Sequence, residues 1–148
     1  MTKEQILSSA RELLERKHSE LIAMMEDLSD GLANETKSSA GDKYETSRAM
    51  SQQEIDKVSV QLQENKRQIA LLPLLESQKA SGRIASGSLV RTTTGLFFIG
   101  IPLGQIELSG TTIFCISPTS PLAQKLLGME AGSAYELNGK SESIIEVR

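Results

Sequence analysis

The chain of 148 residues has no Trp and a single Cys, Cys115. One cysteine excludes an intrachain disulfide and a cysteine-rich zinc site. The opening Thr2-Lys3-Glu4-Gln5 has no apolar stretch of the kind that marks a secretory signal. With the lone Cys, this points to a reducing cytoplasm. No run of 18 apolar residues exists, so no transmembrane helix is expected. The net charge of −3 argues against a general polyanion binder, leaving at most a local basic patch. What is present is ordinary for a folded chain of one domain or two small ones: 39 % hydrophobic and 24 % charged residues.

The scarce residues are unevenly spread. Residues 1–80 hold two Gly, one Pro and one aromatic, against 14 acidic and 11 basic side chains. Residues 81–148 hold nine Gly, three Pro and four aromatics, with only five acidic and five basic side chains. Long side chains without breakers predict helix in the first part. Short apolar runs punctuated by Gly predict strands in the second. Lys79-Ala80-Ser81-Gly82 marks the joint, giving a helical hairpin over 1–79 and a sheet domain over 80–148.

In the first part Leu7, Leu14, Leu21 and Leu28 recur every seven residues, with Ala10, Met25 and Leu32 on the same side. A second series runs through Ile55, Val58, Leu62, Ile69 and Leu72 and is broken once, at Asn65. The polar segment Asn34–Gly41 between them has loop chemistry. Two heptad helices so joined must fold back as an antiparallel coiled-coil pair, each about 28–32 residues or roughly 42–48 Å long. Pairing residues whose numbers sum to 83 sets Leu14 against Ile69, Leu21 against Leu62, Met25 against Val58 and Leu28 against Ile55. The same rule sets His18 against Asn65, the polar break of each stripe. The only His is therefore expected in a polar layer that fixes register, rather than in catalysis or metal binding. Pro73 removes one helical hydrogen bond and predicts a kink or break in the second helix.

In the second part strands are expected near Ser88–Thr93, Leu96–Ile101, Thr111–Ile116, Ala134–Leu137 and Ser143–Val147. Ser120 followed by Pro121 opens a short helix through Ala123, Leu126 and Leu127, which Gly128 closes. The fold class expected is α+β: a long antiparallel two-helix hairpin, then a small antiparallel sheet packed by one short helix.

The candidate chemistry lies at the hairpin tip, whose midpoint by the pairing rule falls between Gly41 and Asp42. Glu35, Asp42 and Glu45 stand there beside Lys37, Lys43, Arg48 and Tyr44, the only aromatic of the first 80 residues. Asp42 and Glu45, three apart, can share one face of a starting helix. Two such carboxylates suit Mg²⁺, which takes one or two from protein and completes its shell elsewhere. The same Asp-x-x-Glu pattern also fits a capping box. A residue can cap a helix and still present a free oxygen. The basic side chains form a solvated rim or steer the tip toward an anionic channel. Cys115, in Ile113-Phe114-Cys115-Ile116, is expected to be a small buried side chain. Gly95, Gly100 and Gly104 lack the strand–Gly–helix order of a phosphate loop.

The stretch Ser120-Pro121-Leu122-Ala123-Gln124-Lys125-Leu126-Leu127-Gly128-Met129-Glu130-Ala131-Gly132 resembles the C-terminal domain of the bacterial Gre transcript-cleavage factors, with Ile144-Ile145-Glu146-Val147 matching the closing strand. The resemblance covers residues 88–148, and the helical hairpin ahead of it agrees with the family's architecture. It implies an FKBP-like domain that docks on the rim of RNA polymerase, and a coiled coil that enters the secondary channel. It further implies acidic tip residues that help hold a catalytic Mg²⁺ jointly with the polymerase active site, acting on the nascent RNA of backtracked complexes through two-metal chemistry. By this resemblance Asp42 and Glu45 are the metal-holding, catalytic pair. Lys43, Tyr44, Arg48, Ser120, Pro121 and Leu122 are expected partner contacts. The chain would be an accessory factor rather than an enzyme, without a cofactor of its own. Because the hairpin satisfies its own seam, a monomer is the simplest expectation. The tip Gly41-Asp42-Lys43-Tyr44-Glu45-Thr46-Ser47-Arg48 keeps Gly-Asp and an acid three residues later, but lacks the family's Glu-Asn-Ala-Glu-Tyr core. Relatives with altered tips inhibit or modulate polymerase, so a channel-occupying modulator stands as the alternative, with a non-transcriptional coiled-coil adaptor beyond it. An FKBP-like shape does not itself bring prolyl isomerase activity.

Overall fold

The computed structural model describes the backbone of residues 2–35 and 41–148, and the side chains of residues 2–34 and 45–148. The α+β class is as the sequence predicts. Two long helices, α1 (Lys3–Glu35) and α2 (Gly41–Ser77), precede the strands β1 (Leu89–Thr92), β2 (Gly95–Ile99), β3 (Gly104–Leu108) and β4 (Thr111–Ile116). The helix α3 (Pro121–Leu126) and the strands β5 (Ala134–Leu137) and β6 (Lys140–Val147) complete the chain. It divides into two compact units, Glu12–Ile69 and Met1–Arg11 with Ala70–Arg148.

In the unit Glu12–Ile69 the heptad reading holds. Leu14, Leu21, Val58 and Asn65 are buried, and Met25, Leu28, Leu32, Ile55, Leu62 and Ile69 are half-buried along the same two stripes. His18 Nδ1 lies 3.0 Å from Asn65 Oδ1, and Asn65 Nδ2 donates to the Leu14 carbonyl at 2.9 Å. The polar layer therefore forms in the register in which paired numbers sum to 83. The helices are antiparallel, because their hydrophobic stripes can be buried together only by folding back.

In the other unit α1 opens on a capping box. Gln5 N donates to Thr2 Oγ1 at 3.2 Å, and Thr2 N donates to Gln5 Oε1 at 2.9 Å. At the same end of the hairpin, Lys3 Nζ donates to Gln78 Oε1 at 2.8 Å. Of the kink or break expected at Pro73, a break does not occur: α2 runs continuously through it to Ser77. Pro73 is exposed, so its ring faces solvent rather than the helix partner.

The sheet has six strands in the order β3-β4-β2-β1-β6-β5. Two expectations are corrected here. The strand β3 was not anticipated, and β2 pairs with β4 in parallel, so the sheet is mixed rather than wholly antiparallel. The cause is one crossing. After β2 the chain passes over the end of β4, where Gly100 N donates to the Ile116 carbonyl at 2.9 Å. It then descends as the edge strand β3 and returns as β4 between β3 and β2. A hairpin placed this way satisfies a parallel pair without a crossover helix. The strand β6 begins at Lys140, earlier than Ser143, because Asn138 and Gly139 both take positive φ and make the tight turn that pairs β5 with β6 from its first residue.

Both faces of the central strands are covered. On one, Ile84, Val90, Ile99, Tyr135 and Ile144 pack with Ala123 and Leu126 of α3. On the other, Leu89 pairs with Phe98 and Phe98 with Cys115, and all three are buried. Ile6, Leu7, Ala10, Leu72 and Leu75 are buried in the same unit. Leu75 lies directly on Gly100, where an added Cβ would come within 2.8 Å of its Cδ1. The end of α2 is thus seated against the end of β2, where a bare backbone leaves room for it.

Candidate functional site

The tip residues lie on the first turns of α2, which begins at Gly41. Glu45 and Arg48 are exposed there. The backbone of Asp42, Lys43 and Tyr44 is helical, while their side chains lie outside the described residues, as does Lys37 altogether. Asp42 and Glu45 are therefore three apart on a helix, the spacing that sets two side chains on neighbouring positions of one face. Acidic residues in a first turn also meet the positive end of the helix dipole. The capping reading of Asp42 concerns a side chain outside the described set. Among the described residues, no group of three or more His, Cys, Asp and Glu converges as a cation shell. A carboxylate pair of this kind fits Mg²⁺ only where another molecule completes the coordination.

The second candidate region is the motif Ser120–Gly132. Ser120 is the N-cap of α3, in extended backbone (φ −64°, ψ 152°), and its Oγ accepts from Ala123 N at 3.2 Å. Pro121 fills the first helical position, where its missing N–H costs nothing. Ser120 and Leu122 are half-buried, Leu122 packing on the core, and of the three only Pro121 is exposed. Gly128 takes a left-handed φ of 85° and donates to the Ile84 carbonyl at 2.7 Å. Gly132 takes φ 90° and donates to Ile144 O at 2.8 Å. Lys125 Nζ reaches the Glu136 carbonyl at 2.7 Å, tying α3 to β5. Most residues of the motif thus hold α3 on the sheet. The tip belongs to one compact unit and this motif to the other.

Other candidates resolve into structure. Cys115 is buried, and burial pushes its thiol up to about 12, which keeps it protonated and unreactive at neutral pH. Thr92 and Thr94 share a hydroxyl bond of 2.9 Å, and Thr94 Oγ1 reaches the Tyr135 hydroxyl at 3.2 Å. Thr93 bonds the Glu142 carboxylate.

Two features were not anticipated. On the β1–β6 pair, Arg148 Nε bonds Glu146 Oε1 at 2.8 Å, and Arg91 Nε stands 3.8 Å from Glu146 Oε2. The Arg148 hydrogen bond, with the charges of Arg148 and Arg91, holds the Glu146 carboxyl below its ordinary range. These side chains rim a cavity of about 60 Å³ floored by Leu89 and Leu96. Glu146 and Arg148 are neighbours in sequence, whereas Arg91 is far from both, and only the β1–β6 register, which sets Arg91 opposite Glu146, brings it to them. On the hairpin, Lys17, Leu21, Val60, Gln61, Asn65 and Gln68 line an open groove of about 360 Å³. Val60, 66 % exposed on a polar helix face, is its one local signal.

No described helix is long and apolar enough to cross a membrane. Comparison with protein-family profiles, curated proteins and solved structures finds no match for the chain.

Proposed function

We propose that this chain is a Gre-like accessory factor of bacterial RNA polymerase, acting in the cytoplasm. In this reading the helical hairpin enters the secondary channel, and the sheet domain docks at its rim. The observation that carries the reading is a conjunction: an antiparallel hairpin pinned at His18 and Asn65, followed by the Ser120–Gly132 motif folded as a capped helix. Asp42 and Glu45 would each offer an oxygen to a Mg²⁺ whose remaining ligands belong to the polymerase. Bound there, the ion would supply Lewis-acid activation of the water that cuts backtracked RNA. Lys43 and Arg48 would orient the tip along an anionic path. Tyr44 and Pro121 would add contacts to the partner.

One observation favours a second reading. The tip Asp42-Lys43-Tyr44-Glu45-Thr46-Ser47 lacks the Glu-Asn-Ala-Glu-Tyr core that the resemblance would call for. A factor with such a tip can occupy the channel and modulate elongation without lending carboxylates to cleavage.

The deciding experiment adds the protein to a stalled, backtracked complex of the cognate polymerase, with Asp42→Asn/Glu45→Gln as control. The expected result is faster RNA cleavage by the wild type and only the unassisted rate with the variant, which still co-elutes with polymerase. Altered elongation without faster cleavage selects the modulator. Failure to co-elute with core polymerase at micromolar concentration overturns both and leaves the coiled-coil adaptor.

A further inference from the structure

We infer that Asn65, through the Leu14 carbonyl and the His18 ring, is the residue that selects the register of the helical hairpin and thereby decides which residues stand at its turn. The apolar seam alone discriminates poorly. It repeats every seven residues, so a slip of one heptad would set Leu21 against Ile55 or Ile69 in place of Leu62, both apolar, and would lose apolar partners only toward the ends of the seam, where Leu28 would meet Arg48 or Leu14 would meet Glu76. The polar layer is not so tolerant. Asn65 is 3 % exposed, and both ends of its amide are engaged. The Leu14 carbonyl can only accept, so Asn65 Nδ2 must face it, and Oδ1 must then face the ring. In this arrangement Nδ1 of His18 is the donor to Asn65 Oδ1. The result is a directional chain from His18 through Asn65 to a backbone oxygen. Leu14 O keeps its second lone pair for the helix.

In the slipped registers Asn65 would face Met25 or Arg11, and His18 would face Leu72 or Val58. The buried amide would lose its partners, which disfavours each slip by about tenfold or more. A slip also moves the turn by half a heptad and carries Asp42 away from it. This last consequence, the placing of the tip acids, rests on the polymerase reading; the selection of register does not. A rival device exists. Lys3 and Gln78 are joined in the unit that holds both outer ends of the hairpin, and that packing could set the register unaided.

Cross-linking in the full chain separates the two. In a Cys115→Ala background, Leu21→Cys is combined in turn with Leu62→Cys, Ile55→Cys or Ile69→Cys and bridged with a short bifunctional thiol reagent. With His18 and Asn65 present, only the Leu21→Cys/Leu62→Cys pair is expected to bridge efficiently. With His18→Leu/Asn65→Leu, the yield at Ile55→Cys or Ile69→Cys should rise relative to Leu62→Cys by about tenfold or more, even if the seam becomes more stable. Exclusive bridging at Leu62→Cys in that variant overturns the proposal and assigns register to the packing of the outer ends. Should the leucine variant aggregate, His18→Ala/Asn65→Ala carries the same readout. The backtracked-complex assay runs beside it. Slippage with a wild type that never affects polymerase upholds the register proposal and rejects the polymerase reading. Cleavage by a wild type whose leucine variant keeps its register does the reverse.

Discussion

The two compact units solve the same problem with unequal means. In Glu12–Ile69 each helix can bury one stripe, and among the described residues only Leu14, Leu21, Val58 and Asn65 are buried there. In the other unit β2 is covered on both faces, so that Leu96, Phe97, Phe98 and Ile99 are all buried in succession. The sheet unit specifies its fold by shape: a branched or aromatic side chain at nearly every central position, with Phe97 and Phe114 stacked at 5.5 Å. The hairpin has little shape to use, since leucines repeat. It contains instead one buried amide whose bonds are directional. Stability and uniqueness thus come from the same residues in one unit and from different residues in the other.

The contrast can be broken most strongly at Phe98, which is 1 % exposed on the sheet face opposite α3. Phe98→Ala should lower unfolding stability of the sheet unit by about 3–5 kcal/mol, read as a fall in the denaturant midpoint. In the hairpin the corresponding test is polar. Asn65→Ala strands the His18 donor and costs about 1–3 kcal/mol, while an apolar replacement of both partners should cost far less. If Asn65→Ala is silent in chemical denaturation, the hairpin owes its structure to the leucines alone. A smaller loss, about 1 kcal/mol, is expected for Ser120→Ala, which removes the N-cap of α3 from Ala123 N. Polymerase co-elution should survive that change if Ser120 serves the fold rather than the partner.

The smallest effect is common to both units. Glu64 bonds Arg67, and Glu146 bonds Arg148, and each carboxyl is held below its ordinary value by that hydrogen bond first and by the neighbouring charge. Because the folded value is depressed, this contribution is present above the unfolded carboxylate value and is lost as pH falls through the folded one. Both carboxyls are exposed, so the effect belongs in an NMR titration rather than a melting curve. Arg67→Gln should return Glu64 toward the ordinary range while leaving Glu146 unmoved.

Much of the hairpin could be read locally because its information is periodic. A stripe of Leu at intervals of seven and a polar break at one position on each helix suffice to align His18 with Asn65. The third member of that layer, the Leu14 carbonyl, carries no side-chain signal. The strand β3 escaped reading because Gln105 and Glu107 alternate with Ile106 and Leu108 beside Gly and Pro, which also describes a loop. It is a strand because β4 offers it an edge and Ser109-Gly110 can turn tightly, both with positive φ. The tip acids were legible as composition at a turn, and the helical backbone beneath Asp42 and Glu45 agrees with the spacing. The place of Arg91 beside Glu146 and Arg148 was not legible, since strand pairing rather than proximity in sequence brings it to them.

The sequence by itself determined the class, the two-helix hairpin, its register and the cap of α3, because each depends on spacing within one or two elements. Only the tertiary structure decided that β4 inserts between β3 and β2, that the chain stays helical through Pro73, and that Leu75 closes on Gly100. Those outcomes depend on which surfaces meet, and a side chain's free energy there is set by neighbours far along the chain.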